Sequence, residues 1–198
     1  MHILIFIFGM IVGVILNYLI ESISYSIDKS RRKAINFLIP VICAFSFVIL
    51  FLRLGVTVLL AKALAITAIL IIISFIDLRY RIIPDFIVVL TLVIGVIFSV
   101  ATRNNITDTV LGMLCGGGVL FLISLLPNAM GGGDIKFMFA AGAFLGLQRT
   151  VWALLLAFIF SSIFSIVLIL AKIIGTKDYI AFGPFLAVGS YISLLIFI

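Results

Sequence analysis

Ile69-Leu70-Ile71-Ile72-Ile73-Ser74-Phe75-Ile76-Asp77-Leu78-Arg79 carries an apolar run straight into a carboxylate. The run closes a segment, residues 55–76, of the length that crosses a bilayer, which takes about 20 mostly apolar residues. A carboxylate at the edge of hydrocarbon is expensive to hold, so an ionisable residue there points to function. A second stretch repeats the arrangement, where Gly131-Gly132-Gly133-Asp134-Ile135-Lys136 opens another apolar segment. Two such aspartates suggest a pair that shares work.

Working outward, the rest of the chain has the same character. Of 198 residues, 66% are hydrophobic and only 10% charged, too few charged groups to cover the apolar surface of a soluble domain. The expected fold is all-α, a polytopic transmembrane helical bundle of about eight membrane segments forming one domain over residues 1–198. The segments run about 2–20, 34–52, 55–76, 85–101, 108–127, 134–148, 150–174 and 179–198. Polar breaks separate them, among them Asp28 to Lys33, Arg79-Tyr80-Arg81 before Pro84, and Leu147-Gln148-Arg149. The first segment lacks a basic flank and an Ala-x-Ala site, so it reads as a retained helix.

Basic residues orient the bundle. With residues 21–33 on the cytoplasmic side, that side receives Lys29, Arg31, Arg32, Lys33, Arg79, Arg81, Lys136, Lys172 and Lys177. The other side receives Arg53, Lys62, Arg103 and Arg149. This bias obeys the positive-inside rule with the amino terminus outside, and it sets both Asp77 and Asp134 toward the cytoplasm. The net charge of +6 is then topological, answered by anionic lipid headgroups, and gives no reason to expect nucleic acid as a partner.

The chain's chemistry narrows quickly. His2 is the sole histidine, which removes H-E-x-x-H metalloproteases and Ser-His-Asp or Cys-His machinery. Cys43 and Cys115 lie inside apolar runs without C-x-x-C spacing and read as small hydrophobes, so no metal and no disulfide is expected. Asp134 alone could be a helix N-cap after a glycine turn. Asp77 alone could be an interfacial ion pair with Arg79 or Arg81. Together, two carboxylates about 3 Å apart cannot both ionise and share a proton, which suits them to activate water and protonate a carbonyl oxygen. Gly112-x-x-x-Gly116 and Gly142-x-x-x-Gly146 give small-residue faces that let helices approach closely. Those faces flank Asp134 and could set its helix against the one carrying Asp77.

Four stretches resemble the type IV prepilin peptidases, membrane aspartic proteases of the G-x-G-D class. Asp77-Leu78-Arg79-Tyr80-Arg81-Ile82-Ile83-Pro84-Asp85 is similar to that family's first aspartate block. Met130 to Lys136, with Ala140 to Gly146 downstream, resembles the second. Phe182-Gly183-Pro184 resembles a late F-G-P element, and Gly9 to Asn17 the opening G-S-F-L-N, with Val14-Ile15 replacing Ser-Phe. The resemblance implies catalytic Asp77 and Asp134, with Gly131, Gly133, Lys136, Asp85 and Pro84 in support. Asp85 would cap the helix opened by Pro84, and Lys136 would tune Asp134. It implies partners that are pilin-like or pseudopilin precursors, cleaved after a short basic leader at the cytoplasmic face of the plasma (inner) membrane. Many members carry a cysteine-rich insert where this chain has only Glu21 to Lys33, which puts S-adenosylmethionine-dependent methylation in doubt; no cofactor is expected. An ion-coupled transporter or a non-catalytic assembly protein of a pilus machine are the other classes to weigh.

Overall fold

The computed structural model describes residues 1–28, 36–102, 105–126, 130–173, 175 and 179–197. Among them lie seven helices and no strand: α1 (His2–Ile27), α2 (Leu38–Leu54), α3 (Val58–Tyr80), α4 (Asp85–Ala101), α5 (Ile106–Ser124), α6 (Gly132–Leu170) and α7 (Gly183–Ile196). Four of these, α1, α3, α5 and α6, are long and apolar enough to cross a membrane, and α2, α4 and α7 are shorter apolar helices. The basic residues Lys29, Arg31, Arg32, Lys33, Arg103 and Lys177 lie outside the described residues.

Local chemistry sets the ends of these helices. Thr57 Oγ1 accepts the Leu60 N–H at 3.2 Å and opens α3, satisfying one of the donors a helix start leaves free. At the other end Arg81 turns left-handed at φ 55°, and its N–H donates to the Asp77 carbonyl at 2.8 Å. Pro84 follows and starts α4, since its ring cannot extend the previous helix. The segment expected over 55–76 therefore runs on to Tyr80, which puts Asp77 inside its last turn.

Where about eight segments were expected, seven helices are found, and the difference is α6. It spans 39 residues, yet Gly146 inside it has φ 74° and ψ 177°. A straight helix would hold residues 134 and 158 about 36 Å apart. Instead Phe158 stacks on Phe182 with ring centroids 5.3 Å apart, next to the Gly183 that touches Asp77, while Asp134 lies within electrostatic reach of that same Asp77. The chain thus doubles back at Gly146, and both arms of α6 run between the two ends of the bundle.

Outside, the bundle is apolar: Ile3, Leu4, Leu52, Val89, Val100, Phe121 and Leu170 are all exposed, a surface that water would not favour and lipid tails would. Inside, Phe47, Ile66, Ile73, Phe137, Met138 and Phe144 are fully enclosed. Polar side chains are buried among them, notably Lys62, Asp77 and Asp134. The small-residue faces pair with each other, not with α3: a Cβ on Gly142 would stand 2.3 Å from the Gly112 carbonyl oxygen, and one on Gly116 would stand 2.3 Å from that of Met138. They seat α5 against α6, so the expectation that they join the helices of Asp77 and Asp134 is corrected. That juxtaposition is made at the helix ends.

Candidate active site

Three helix ends converge at one pole of the bundle. The last turn of α3 supplies Asp77, the first turn of α6 supplies Asp134, and the start of α7 supplies Gly183. The Gly183 amide donates to Asp77 Oδ2 at 2.8 Å. Such close approach requires glycine, because a Cβ on residue 183 would lie 2.7 Å from that oxygen. The segment between α3 and α4 completes the join, with Ile83 packed where a Cβ on Gly133 would come within 3.1 Å of it. Gly133 thus lets α6 enter against the chain that leaves Asp77.

Asp134 is not the N-cap; Gly131 is, and Asp134 stands three residues in. Its carboxylate reaches back and takes a backbone hydrogen bond from Gly131, the return half of a capping box. One oxygen, Oδ2, lies against Gly131. The other, Oδ1, is buried without a hydrogen-bond partner among the described residues. Capping and chemistry are therefore compatible, because the cap occupies one face of the carboxyl and leaves the other free.

Both aspartates are nearly inaccessible, Asp77 at 5% and Asp134 at 9% exposed, and Asp134 feels the charge of Asp77. Neighbouring cations are largely engaged elsewhere. Arg79 pairs with Glu21 on α1, so it does not neutralise Asp77. Lys136 pairs with Asp85 at 2.8 Å and both are exposed, so Lys136 clasps α6 to α4 instead of bonding Asp134. Asp85 follows the N-cap Pro84 and makes no capping bond. Among the described residues, Arg81 is the cation whose charge acts on Asp77. Among the described residues no three His, Cys, Asp or Glu side chains gather as a metal site would need.

Sequence reading missed Gly183, although the Phe182-Gly183-Pro184 element that holds it was legible. Within that element it is the glycine amide that makes the contact. It also missed Asp108 on α5, whose Oδ1 accepts the Leu147 N–H at 3.0 Å and caps the second arm of α6 at its reversal.

The structure is an all-helical membrane bundle with two aspartates buried at one pole. More narrowly, residues 64–170 match the model of the type IV leader peptidase family, and the chain belongs to that family. It is similar to a prepilin leader peptidase/N-methyltransferase of Aeromonas salmonicida, 35% identical over 140 residues that cover 67% of this chain and 48% of the relative. The Escherichia coli K12 protein of that name is 35% identical over 130 residues, covering 61% and 56%. The Bacillus subtilis one is 25% identical over 190 residues, covering 89% and 75%. The chain spans about half the length of the first of these. No solved structure matches it.

Proposed function

We propose that this chain is an aspartic endopeptidase that removes the short basic leader from pilin-like precursors at the cytoplasmic face of the plasma membrane. The observation that carries the reading is the burial of Asp77 and Asp134 together at one pole, within a chain of the leader peptidase family. In the sequence nine basic residues fall on the side of that pole and four, Arg53, Lys62, Arg103 and Arg149, on the other, a bias that supports a cytoplasmic site and an external amino terminus.

One carboxyl is ionised and the other protonated. The ionised oxygen takes a proton from water as the water oxygen bonds to the scissile carbonyl carbon. The protonated carboxyl hands its proton to the carbonyl oxygen, giving a neutral gem-diol. Collapse of that diol breaks the C–N bond, the leaving amine takes the proton drawn from water, and a hydroxyl proton returns to the pair. Surrounding apolar side chains keep bulk water out and make each proton transfer more sensitive to placement. Methylation of the new amino terminus is not assigned to this chain.

The deciding experiment is cleavage of a purified pilin-type precursor in liposomes by wild type, Asp77→Asn and Asp134→Asn. Asn preserves size and removes the shared proton. Loss of cleavage in both variants, with folding retained, is expected; cleavage by both at the wild-type rate would overturn the mechanism.

A further inference from the structure

The two aspartates differ in what surrounds their oxygens, and the difference is built by α7. Asp77 Oδ2 receives the amide of Gly183, the first residue of α7, where the helix dipole and unsatisfied N–H groups favour negative charge. That N–H has no partner within its own helix, so the bond to Asp77 takes nothing from α7. Arg81 adds a positive charge acting on Asp77. Asp134 has its cap from Gly131, and among the described residues no cation acts on it, since Lys136 is turned to Asp85. Among the described residues its Oδ1 is buried without a hydrogen-bond partner, and neither oxygen of Asp77 is.

A charge on Asp134 would leave that oxygen an uncompensated acceptor, which is costly in an apolar setting. A proton there turns it into a donor that can point at Asp77 or at a substrate carbonyl. From this geometry we infer that Asp77 is the resting base, Asp134 holds the shared proton, and the Gly183 amide is the positioning group that fixes this division. The inference rests on the dyad proposed above. The dipoles of α3 and α6 oppose it, because a helix C-terminus disfavours negative charge at Asp77 and a helix N-terminus favours it at Asp134. Gly183 and Arg81 stand against that effect, with Glu21 and Arg79 paired to each other away from it.

The test deletes one N–H and adds no atom: a Gly183→glycolate backbone ester, introduced by nonsense suppression during cell-free synthesis into liposomes. Precursor cleavage is then followed against pH. Turnover is expected to fall about 10- to 100-fold, the value of one charge-assisted hydrogen bond. The acid limb of the kcat profile should move up by about one to two pH units, with KM unchanged. An unmoved acid limb overturns the inference. Infrared spectra of purified Asp77→Asn and Asp134→Asn at neutral pH supply a second readout, the carboxylic-acid C=O stretch. That band is expected to survive in Asp77→Asn and vanish in Asp134→Asn, and the reverse pattern reverses the assignment. The two readings fail separately: if both Asn variants still cleave, the dyad itself is wrong. If both are dead but the infrared pattern is reversed, only the division of labour is.

Discussion

Each pole of the bundle sets an aspartate against a glycine, yet the two pairs do opposite things. At one pole Asp77 lies against Gly183 and faces a second carboxylate. At the other, Asp108 lies against Gly146, accepts the Leu147 N–H and faces the charges of Lys62 and Arg149. Asp108 has an amide donor and two cations within electrostatic reach, and its bond to Leu147 caps a chain reversal. Asp77 too has an amide donor and a cation, Gly183 and Arg81, but it stands beside a second buried carboxyl, Asp134. The proposed dyad thus differs from the other pole in its second buried carboxyl, where the half-buried Asp108 has Lys62 and Arg149 instead.

The sharpest way to break this comparison is to truncate all three aspartates. Asp77→Ala and Asp134→Ala should each lower cleavage of a pilin-type precursor by roughly 10²- to 10⁴-fold, the usual reach of positioned acid–base groups. Asp108→Ala should leave turnover per folded molecule close to wild type while costing about 1–3 kcal/mol of stability, read as a lowered thermal midpoint in detergent. If Asp108→Ala kills turnover without moving the midpoint, the second pole takes part in catalysis.

Much of this was legible in the sequence, for reasons that differ between the poles. Asp77 and Asp134 stand out because each interrupts a long apolar run, and the cost of that interruption is local. Asp108 sits in the first turn of α5, where an acidic residue is unremarkable, and its partner lies 39 positions away. No local pattern encodes that contact. The same holds for Gly183, 106 residues from Asp77. The reversal at Gly146 was read as a polar break at Leu147-Gln148-Arg149, since polarity marks an aqueous edge, but positive φ on a glycine is what lets the helix turn. Lys136 was read by its nearness in sequence to Asp134; on a helix, residues two apart point away from each other, and Asp85 claims it.

The glycines offer a second, smaller contrast. Gly146→Ala places a Cβ on a backbone with φ 74° and within 2.1 Å of Asp108 Oδ2. Strain of that kind costs about 1–3 kcal/mol, so stability should drop while the rate per folded molecule holds. Gly183→Ala keeps an ordinary helical backbone but drives a Cβ to 2.7 Å from Asp77 Oδ2 and 3.0 Å from its Cγ. It should shift the carboxyl and lower kcat about 10- to 100-fold, with little change in midpoint. Thermal scans and steady-state cleavage on the same preparations separate the two, and an exchange of these phenotypes would dissolve the distinction between the poles.

The smallest effect belongs to the residue nearest the chemistry in sequence. Lys136 lies two positions from Asp134, but its ammonium meets Asp85 at 2.8 Å with both side chains more than half exposed. Exposed pairs contribute about 0–1 kcal/mol and weaken with salt. Lys136→Ala should therefore change kcat by less than about fivefold and leave the pH profile in place, while any loss of stability fades at high ionic strength. A large drop in kcat with a displaced acid limb would mean that Asp134 depends on this cation. The contrast proposed between the Asp77–Asp134 pole and the Asp108 pole would then be softened by a partner the resting geometry turns away.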